Sequence, residues 1–311
     1  MSAIRKNESG QAVVLLTLSL AVIMGMAAFV IDVGSWYHTK RHLQGTADAA
    51  ALAGAQLLPT NSSGAQSQAL TYANKNGGNV AGADITVSTT VFQNDTIKVK
   101  AQKTDAGIFS GVLGIASATI HASAKARVGP PLQARYVAPM VVYCNHPLIH
   151  NCNSDSIPDF NVNTNMNYDP MGAPGAFGML NLEGGNGTPG TSDEAEWILK
   201  GFDKYLGLGD YKSDPGAKFS SQNIQSALDA RMGTVLLFPV FRVLSGTGQN
   251  AVYEIIGWIG FHLTSYDVHG HSATLHGYFT EFIAQGILAS SGGGPSGPSS
   301  SFGVKSIQLI E

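Results

Sequence analysis

The sequence has little charge: Asp, Glu, Lys and Arg make up 13% of its 311 residues, against about 25% in an average soluble protein. Its 18 basic and 21 acidic residues leave a formal net charge of −3. Without a basic surplus there is no electrostatic surface for nucleic acid, so we expect no nucleic-acid partner. The low charge, together with 37 glycines, favours an exported, β-rich protein over a cytosolic enzyme.

Cysteine is nearly absent. The chain has only Cys144 and Cys152, which lie close together in a segment rich in Asn, Pro and Asp. In an oxidising compartment such a pair is predicted to form a local disulfide. Two unrelated thiols are the alternative.

Common catalytic signatures are also missing. There is no G-x-S-x-G motif. The glycine-rich residues 184–187 lack the Lys-Ser/Thr ending of a P-loop. Glu194 and Glu196 fall at the start of a predicted helix, where acidic side chains favour the helix end, and capping explains them better than paired-carboxylate hydrolysis. We therefore predict no catalytic residue and no cofactor.

Three histidines, His269, His271 and His276, are the best metal candidates. On a strand the first two would share a face with Asp267. Zinc needs three or four N, S or O ligands, and no carboxylate motif accompanies these histidines. Surface histidines on an edge strand explain the pattern, so no metal site is predicted. A membrane-tethered, metal-dependent hydrolase is kept as an alternative function.

The chain contains one long apolar run, residues 12–31 (AVVLLTLSLAVIMGMAAFVI), without a charge. In a helix this length rises about 30 Å, the thickness of a bilayer core. The apolar region of a signal peptide is usually about 7–15 residues long and ends at a cleavage site. This run is longer and no A-x-A site follows directly, so we predict a retained transmembrane helix over residues 12–33 with the lipid bilayer as a partner.

The orientation of this helix follows from its flanks. Arg5 and Lys6 precede it and favour a cytoplasmic N-terminus, but Lys40 and Arg41 follow it and partly cancel that bias. The cysteine pair and the weakly charged body favour an exported body. We therefore predict a single-pass protein of the inner (cytoplasmic) membrane, with residues 1–11 inside and the main body periplasmic or extracellular.

A stripe of small residues runs along the predicted helix. Such residues let helices approach closely in lipid, and an acidic side chain at the end of the stripe could bind a basic partner. Alternatively, a membrane helix simply tolerates small residues, and the acidic side chain lies in interfacial water. The part of the stripe after the apolar run could cover either the protein's own sheet or a neighbouring helix. The predicted helix-association face consists of Ala21, Gly25, Ala28, Asp32, Ala47, Ala51 and Gly54.

This N-terminal region resembles that of the TadE/TadG-like family of Flp (Tad) pilus-assembly proteins. The matching residues are Gly10-Gln11-Ala12, the apolar run, Asp32-Val33-Gly34, Tyr37, and Arg41-x-Leu43-Gln44-x-x-Ala47-Asp48 with the alanine-rich stretch to Ala55. More loosely, residues 109–128, 139–144, 239–240 and 253–261 are similar to the extracytoplasmic part of TadG-like proteins.

The resemblance implies an accessory or assembly protein, minor pilin-like, of a Tad/Flp pilus or secretion system. Its expected partners are other proteins of that system, and self-association is left open; a ligand-binding module is a further alternative. The D-x-S-x-S motif of von Willebrand A domains is missing, so metal binding is not carried over. No Glu stands five residues after Gly10, so cleavage by a prepilin peptidase is not carried over either.

The remaining sequence predicts an α+β fold: a transmembrane helix that continues into a long helix, then mixed α/β modules with mainly antiparallel sheets. Residues 34–129 are predicted to hold the long helix and a ββαβ module, with a hairpin around residues 84–101 and a short helix at 107–115. Residues 136–289 form a second, β-rich module, in which 144–192 read as a loop and 197–206 as a helix. Residues 290–311 form a Gly/Ser/Pro linker and a final strand.

Overall fold

The computed structural model describes residues 9–152, 157–184, 188–214, 218–288 and 302–310. They fall into two compact units. Unit 1 contains residues 9–88, 96–126 and 309–310, and unit 2 contains the described residues within 89–95 and 127–308. Residues 1–8 of the predicted cytoplasmic segment 1–11 and the predicted linker 290–301 lie outside the described residues.

The first element is a continuous helix, α1 (Ser9–Ala55), of 47 residues. The segment has no proline, and the helix ends shortly before Pro59, consistent with the bias of pre-proline residues against helical backbone. From Ala12 onward α1 is long and apolar enough to cross a membrane, with a mean hydropathy of 2.6 in its most apolar window. Large side chains of this part face outward, for example Val30, which is 68% exposed. The predicted long apolar helix with a helical extension is confirmed.

Unit 1 also contains α2 (Ser62–Lys75), β1 (Ile85–Ser88), β2 (Thr96–Ala106) and most of β3 (Ser117–Gly129). The side chain of Asn61 accepts a hydrogen bond from the Gly64 N–H at 2.8 Å and caps the start of α2. Strands β1 and β2 form the predicted antiparallel hairpin, with Ile85 opposite Val99, and β2 lies between β1 and β3.

Alanine and glycine bring α1 and α2 close together in unit 1. Ala51 of α1 and Ala65 and Ala69 of α2 are fully buried. A Cβ atom added at Gly54 would lie 2.8 Å from the carbonyl oxygen of Ala65 and 2.6 Å from Cδ1 of Ile97. The helix pair therefore requires small side chains at these positions.

Unit 2 contains two helices and most of the strands. They are β4 (Pro131–Ala134), β5 (Met140–Tyr143), β6 (Asn163–Tyr168), β7 (Ala176–Met179), α3 (Thr191–Lys200), β8 (Leu206–Gly207), β9 (Gly209–Lys212), α4 (Gln222–Arg231), β10 (Val235–Ser245), β11 (Val252–His269), β12 (Ser272–Thr280), β13 (Phe282–Ile283), β14 (Gly286–Leu288) and β15 (Val304–Leu309).

The main sheet of unit 2 closes on itself. Its order is β10-β5-β7-β6-β12-β11-β9, and β10 also pairs with β11, which joins six strands in a ring. The β10–β5 and β6–β7 pairs are parallel, and the others are antiparallel. The α+β fold class with mainly antiparallel sheets is thus confirmed. Strand β4 pairs with β14 and β8 in a smaller antiparallel sheet.

Two apolar clusters fill unit 2. One includes Phe238, Phe261 and Phe279, together with buried residues of α3 and α4. The other surrounds Trp258 and Tyr253. Trp258 satisfies its indole N–H by donating it to the carbonyl oxygen of Pro131 at 3.1 Å.

Three local predictions need correction. The segment predicted as a loop, 144–192, contains β6 and β7. The helix predicted at 197–206 is α3, which starts earlier and ends at Lys200, because Gly201 has a positive φ of +77°, a backbone conformation outside the helical region that glycine tolerates. The short helix predicted at 107–115 is a loop around a single 3₁₀ turn, Ser110–Leu113.

Candidate functional site

The outer half of α1, residues 32–55, is the part that follows the apolar run. It packs against the rest of unit 1. Leu43, Ala47 and Ala51 are at most 1% exposed. Polar side chains of the same half also bind neighbouring backbone. Gln44 Nε2 donates to the carbonyl oxygen of Ser123 at 2.9 Å, and Thr46 Oγ1 donates to that of Asn76 at 2.6 Å. The predicted outer stripe therefore covers elements of its own chain.

Asp32, directly after the apolar run, clamps the loop 107–116, which is distant in sequence. Its carboxylate accepts three backbone N–H groups, those of Ile108 (3.0 Å), Phe109 (2.8 Å) and Ser110 (2.6 Å). Asp32 is 1% exposed, and bonds from N–H groups to a carboxylate are among the stronger protein hydrogen bonds. The clamp fixes the loop 107–116 to α1 directly after the apolar run.

Two further contacts lie about two helical turns beyond the clamp. Thr39 Oγ1 donates to Asp105, which also forms an ion pair with Lys103 at 2.8 Å. The hydrogen bond from Lys103, followed by that from Thr39, lowers the pKa of Asp105. Lys40 donates to the carbonyl oxygen of His121. Polar bonds from Asp32 to Lys40 thus attach α1 to both ends of the β2–β3 connection.

The part of the predicted association face within the apolar run makes no such contacts. Ala21 and Gly25 are exposed, and a Cβ atom added at Gly25 would meet nothing within 4 Å. Ala28 is half-buried. Of the seven predicted residues, the structure thus buries Ala47 and Ala51, places Gly54 against α2 and β2, places Asp32 against the loop, leaves Ala28 half-buried, and leaves Ala21 and Gly25 accessible.

In unit 2, Cys144 and Cys152 form a disulfide with a Cα–Cα distance of 4.8 Å, as predicted. Cys144 is fully buried beside the apolar cluster. The ring of His146, within this short loop, lies edge-on to Phe279, and its Nδ1 accepts the Leu148 N–H at 3.1 Å. Burial lowers the pKa of His146 to about 4. The disulfide and the neutral imidazole together hold the loop against the core.

Two of the three candidate metal histidines contact oxygen atoms of other side chains. His276 contacts Asp267 through Nε2 at 2.8 Å and Asn165 through Nδ1 at 2.7 Å. His271 contacts Ser220 instead. Within the described parts of the chain, no group of three or more His, Cys, Asp or Glu side chains is placed to hold a metal ion.

A buried ion cluster joins α3 to the segment before α4. Lys218 Nζ donates to Glu194 at 2.5 Å, to Asp214 at 2.9 Å and to the carbonyl oxygen of Pro189 at 2.5 Å. Glu194 and Asp214 are at most 1% exposed. Burial, and then the neighbouring Asp214, raise the pKa of Glu194 to about 8.

Because Glu194 is engaged in this cluster, the capping role predicted for Glu194 and Glu196 belongs to Asp193. Its carboxylate accepts the Gly190 N–H at 3.2 Å.

The extent of α1 coincides with the extent of a family match. Residues 10–57 match the family model described as putative Flp pilus-assembly TadE/G-like. The N-terminal helix is a Tad-like segment. No curated protein and no solved structure shows a significant match to the chain. The predicted resemblance to the Tad family is thus confirmed over these residues.

The Tad-like segment covers both the apolar run and the outer half of α1. It includes Asp32 and so contains the acid that binds the loop 107–116. From the sequence, Asp32 was expected either to bind a basic partner or to lie in interfacial water, but its carboxylate binds backbone N–H groups that lie 76 to 78 residues further along the chain. The match supports a role associated with a Tad/Flp pilus, and the apolar run supports anchoring in a membrane by a single helix.

Proposed function

We propose that this chain is an accessory or assembly protein, minor pilin-like, of a Tad/Flp-type pilus or secretion system. It acts through contacts with other proteins of that system and not through catalysis. The observation that carries the proposal is the Tad-like segment at residues 10–57, which coincides with one helix that has an exposed apolar half and a packed outer half.

In this proposal α1 anchors the chain in the cytoplasmic membrane, with its N-terminus inside and the part of the chain that follows the apolar run outside. The disulfide between Cys144 and Cys152 supports an oxidising location for unit 2. The accessible small residues Ala21 and Gly25 would face a helix of a partner, since small side chains allow close approach in lipid.

In-cell photocrosslinking tests the proposal. A photoreactive amino acid would replace Ala21 in the full-length protein, and for comparison Ile23, which lies on the opposite side of the helix. We expect Ala21 to crosslink to a protein of the same pilus system and Ile23 to crosslink mainly to lipid. Recovery of no pilus-system protein from either position would contradict the proposed function.

A further inference from the structure

The loop 107–116 presents large apolar side chains outward. Ile108 is 70% exposed, Phe109 41% and Ile115 46%. Three such side chains within eight residues form an exposed apolar patch, of the kind that marks a contact with a membrane or a protein.

The loop is held in one conformation by its own hydrogen bonds. The Gly107 N–H donates to the carbonyl oxygen of Ala116 at 3.0 Å, and the Ile115 N–H donates to that of Ser110 at 3.0 Å. The hydroxyl of Ser110 donates to the Ile115 carbonyl oxygen as well, at 3.0 Å. The exposed apolar side chains therefore project from a loop whose backbone is fixed by hydrogen bonds.

The clamp satisfies the backbone groups that would otherwise disfavour a low-polarity environment. An unpaired N–H group is costly in the apolar part of a bilayer. The N–H groups of Ile108, Phe109 and Ser110 all bind the carboxylate of Asp32. The segment that carries Ile108, the most exposed of the three apolar side chains of the loop, thus has no unpaired N–H among these three residues.

The position of the loop relative to the apolar run follows from the same clamp. Asp32 comes directly after residues 12–31. Phe109 and Ser110 line a groove of about 790 Å³ together with residues of that run, from Val22 to Val30. The apolar surface of the loop is therefore continuous with the exposed apolar surface of α1.

We propose that the loop 107–116 is a membrane-interface foot. Ile108, Phe109 and Ile115 lie at the boundary of head groups and acyl chains in the leaflet from which α1 emerges, where apolar side chains gain by leaving water. Continuity with the apolar run identifies the occupant of this patch as lipid. The inference rests on the membrane anchoring of α1 and not on the identity of any pilus partner.

Fluorescence in liposomes tests the foot with the full-length chain. An environment-sensitive dye would be attached to a cysteine introduced by Ile108→Cys, Phe109→Cys or Ile115→Cys, without reductant, so that the native disulfide stays closed. Val22→Cys reports on the membrane span. Ser63→Cys reports on an exposed position at the start of α2, beside the far end of α1.

We expect dyes at the three foot positions to show a blue-shifted emission and to lose intensity with lipids that carry a quencher near the head group. The Val22 dye should be quenched most by deeper quenchers, and the Ser63 dye by neither. Foot dyes that behave like the Ser63 dye would overturn the proposal, and so would a blue shift without lipid quenching, because a protein surface would then cover the patch. An unquenched Val22 dye would overturn the anchoring and the foot together.

Discussion

Asp32 joins two segments of unit 1 through a single carboxylate. In Asp32→Asn the amide keeps one oxygen, but its NH₂ group faces backbone N–H groups and cannot accept from them. We expect the loop 107–116 to be destabilised by about 1–3 kcal/mol, the cost of leaving buried donors unpaired. Hydrogen exchange of the full-length protein in nanodiscs should show faster exchange at residues 108–110.

Asp48→Asn is the matched control for this change. Asp48 lies on the same helix, and its carboxylate accepts from Gln44 Nε2 at 2.8 Å, a bond that an Asn side-chain oxygen can keep. Its exchange rates at residues 108–110 should equal those of the unaltered protein. Equal rates in Asp32→Asn would show that the clamp does not hold the loop.

Lys218 is the common partner of two buried carboxyl groups. Lys218→Met removes the cation and leaves Glu194 and Asp214 in a buried site without it, for which we expect a loss of about 3–5 kcal/mol in the free energy of unfolding. Lys200→Met removes a lysine that pairs with Glu196 on the surface of α3 and should change it by less than about 0.5 kcal/mol. Urea unfolding measures both, and similar values for the two variants would contradict a stabilising role for the cluster.

His146 makes unit 2 sensitive to acid. Its pKa in the folded state is about 4, below the value of about 6.5 expected in the unfolded chain. The unfolded state therefore takes up the proton first, and the free energy of unfolding falls as the pH drops from about 6.5 to about 4. In His146→Asn the side-chain oxygen can still accept the Leu148 N–H, but the group no longer titrates.

Unfolding of the full-length protein at pH 7 and at pH 4.5 measures this effect. We expect the unaltered protein to lose more stability between the two pH values than His146→Asn. His269→Asn, which removes an exposed imidazole from the same unit, should keep the pH dependence of the unaltered protein. An undiminished pH dependence in His146→Asn would assign the acid sensitivity to other groups.

At the scale of elements, substitution of two glycines of α1 by alanine should change the stability of the protein in opposite directions, because only one of them contacts α2. Gly54→Ala places a methyl group against Ile97, Ala65 and Ala69, and overpacking of this kind costs about 1–3 kcal/mol. Gly45→Ala meets nothing within 4 Å and should stabilise the helix by about 0.5–1 kcal/mol. Hydrogen exchange in α2 measures both effects. Unchanged exchange rates in Gly54→Ala would show that α1 and α2 can move apart without a loss of stability.

The sequence predicts those elements whose pattern is local. The apolar run without proline predicted α1, and alternation on both sides of Asn94-Asp95 predicted the β1–β2 hairpin. Strand β6 was missed because Met166 is its only buried residue, so its sequence, NTNMNY, shows no apolar alternation. Strand β7 was missed because its four residues are all buried and too few to show a period.

The candidate sites were only partly predictable for the same reason. The disulfide joins cysteines in one short segment, and the Tad-like pattern is contiguous, so both could be read directly. The partners of Asp32 are backbone N–H groups, which any residue supplies, so no residue type marks them. The ion pair of Lys218 with Glu194 forms only because the folded chain brings Lys218 back to α3. The local sequence around Lys218 does not indicate this contact.

At the scale of the whole molecule, the proposed topology predicts how its cysteines respond to a membrane-impermeant thiol reagent. In intact cells we expect no labelling before reduction and labelling after it, mainly at Cys152, because Cys144 is fully buried. A variant with Ser2→Cys should be labelled at that position only after the membrane is opened. Labelling of the native pair that also requires an opened membrane would contradict an exported body.

The continuity of α1 has a mechanical consequence. A helix of 47 residues is about 70 Å long, and between the apolar run and the packed outer half there is no flexible hinge to absorb extension. A pulling force on the packed part of unit 1 would therefore be transmitted along the helix axis to the apolar run. The hydrogen bonds of Asp32, Thr39 and Lys40 link the loop 107–116 and the strands β2 and β3 to the same helix, so that these elements would resist such a force together with α1.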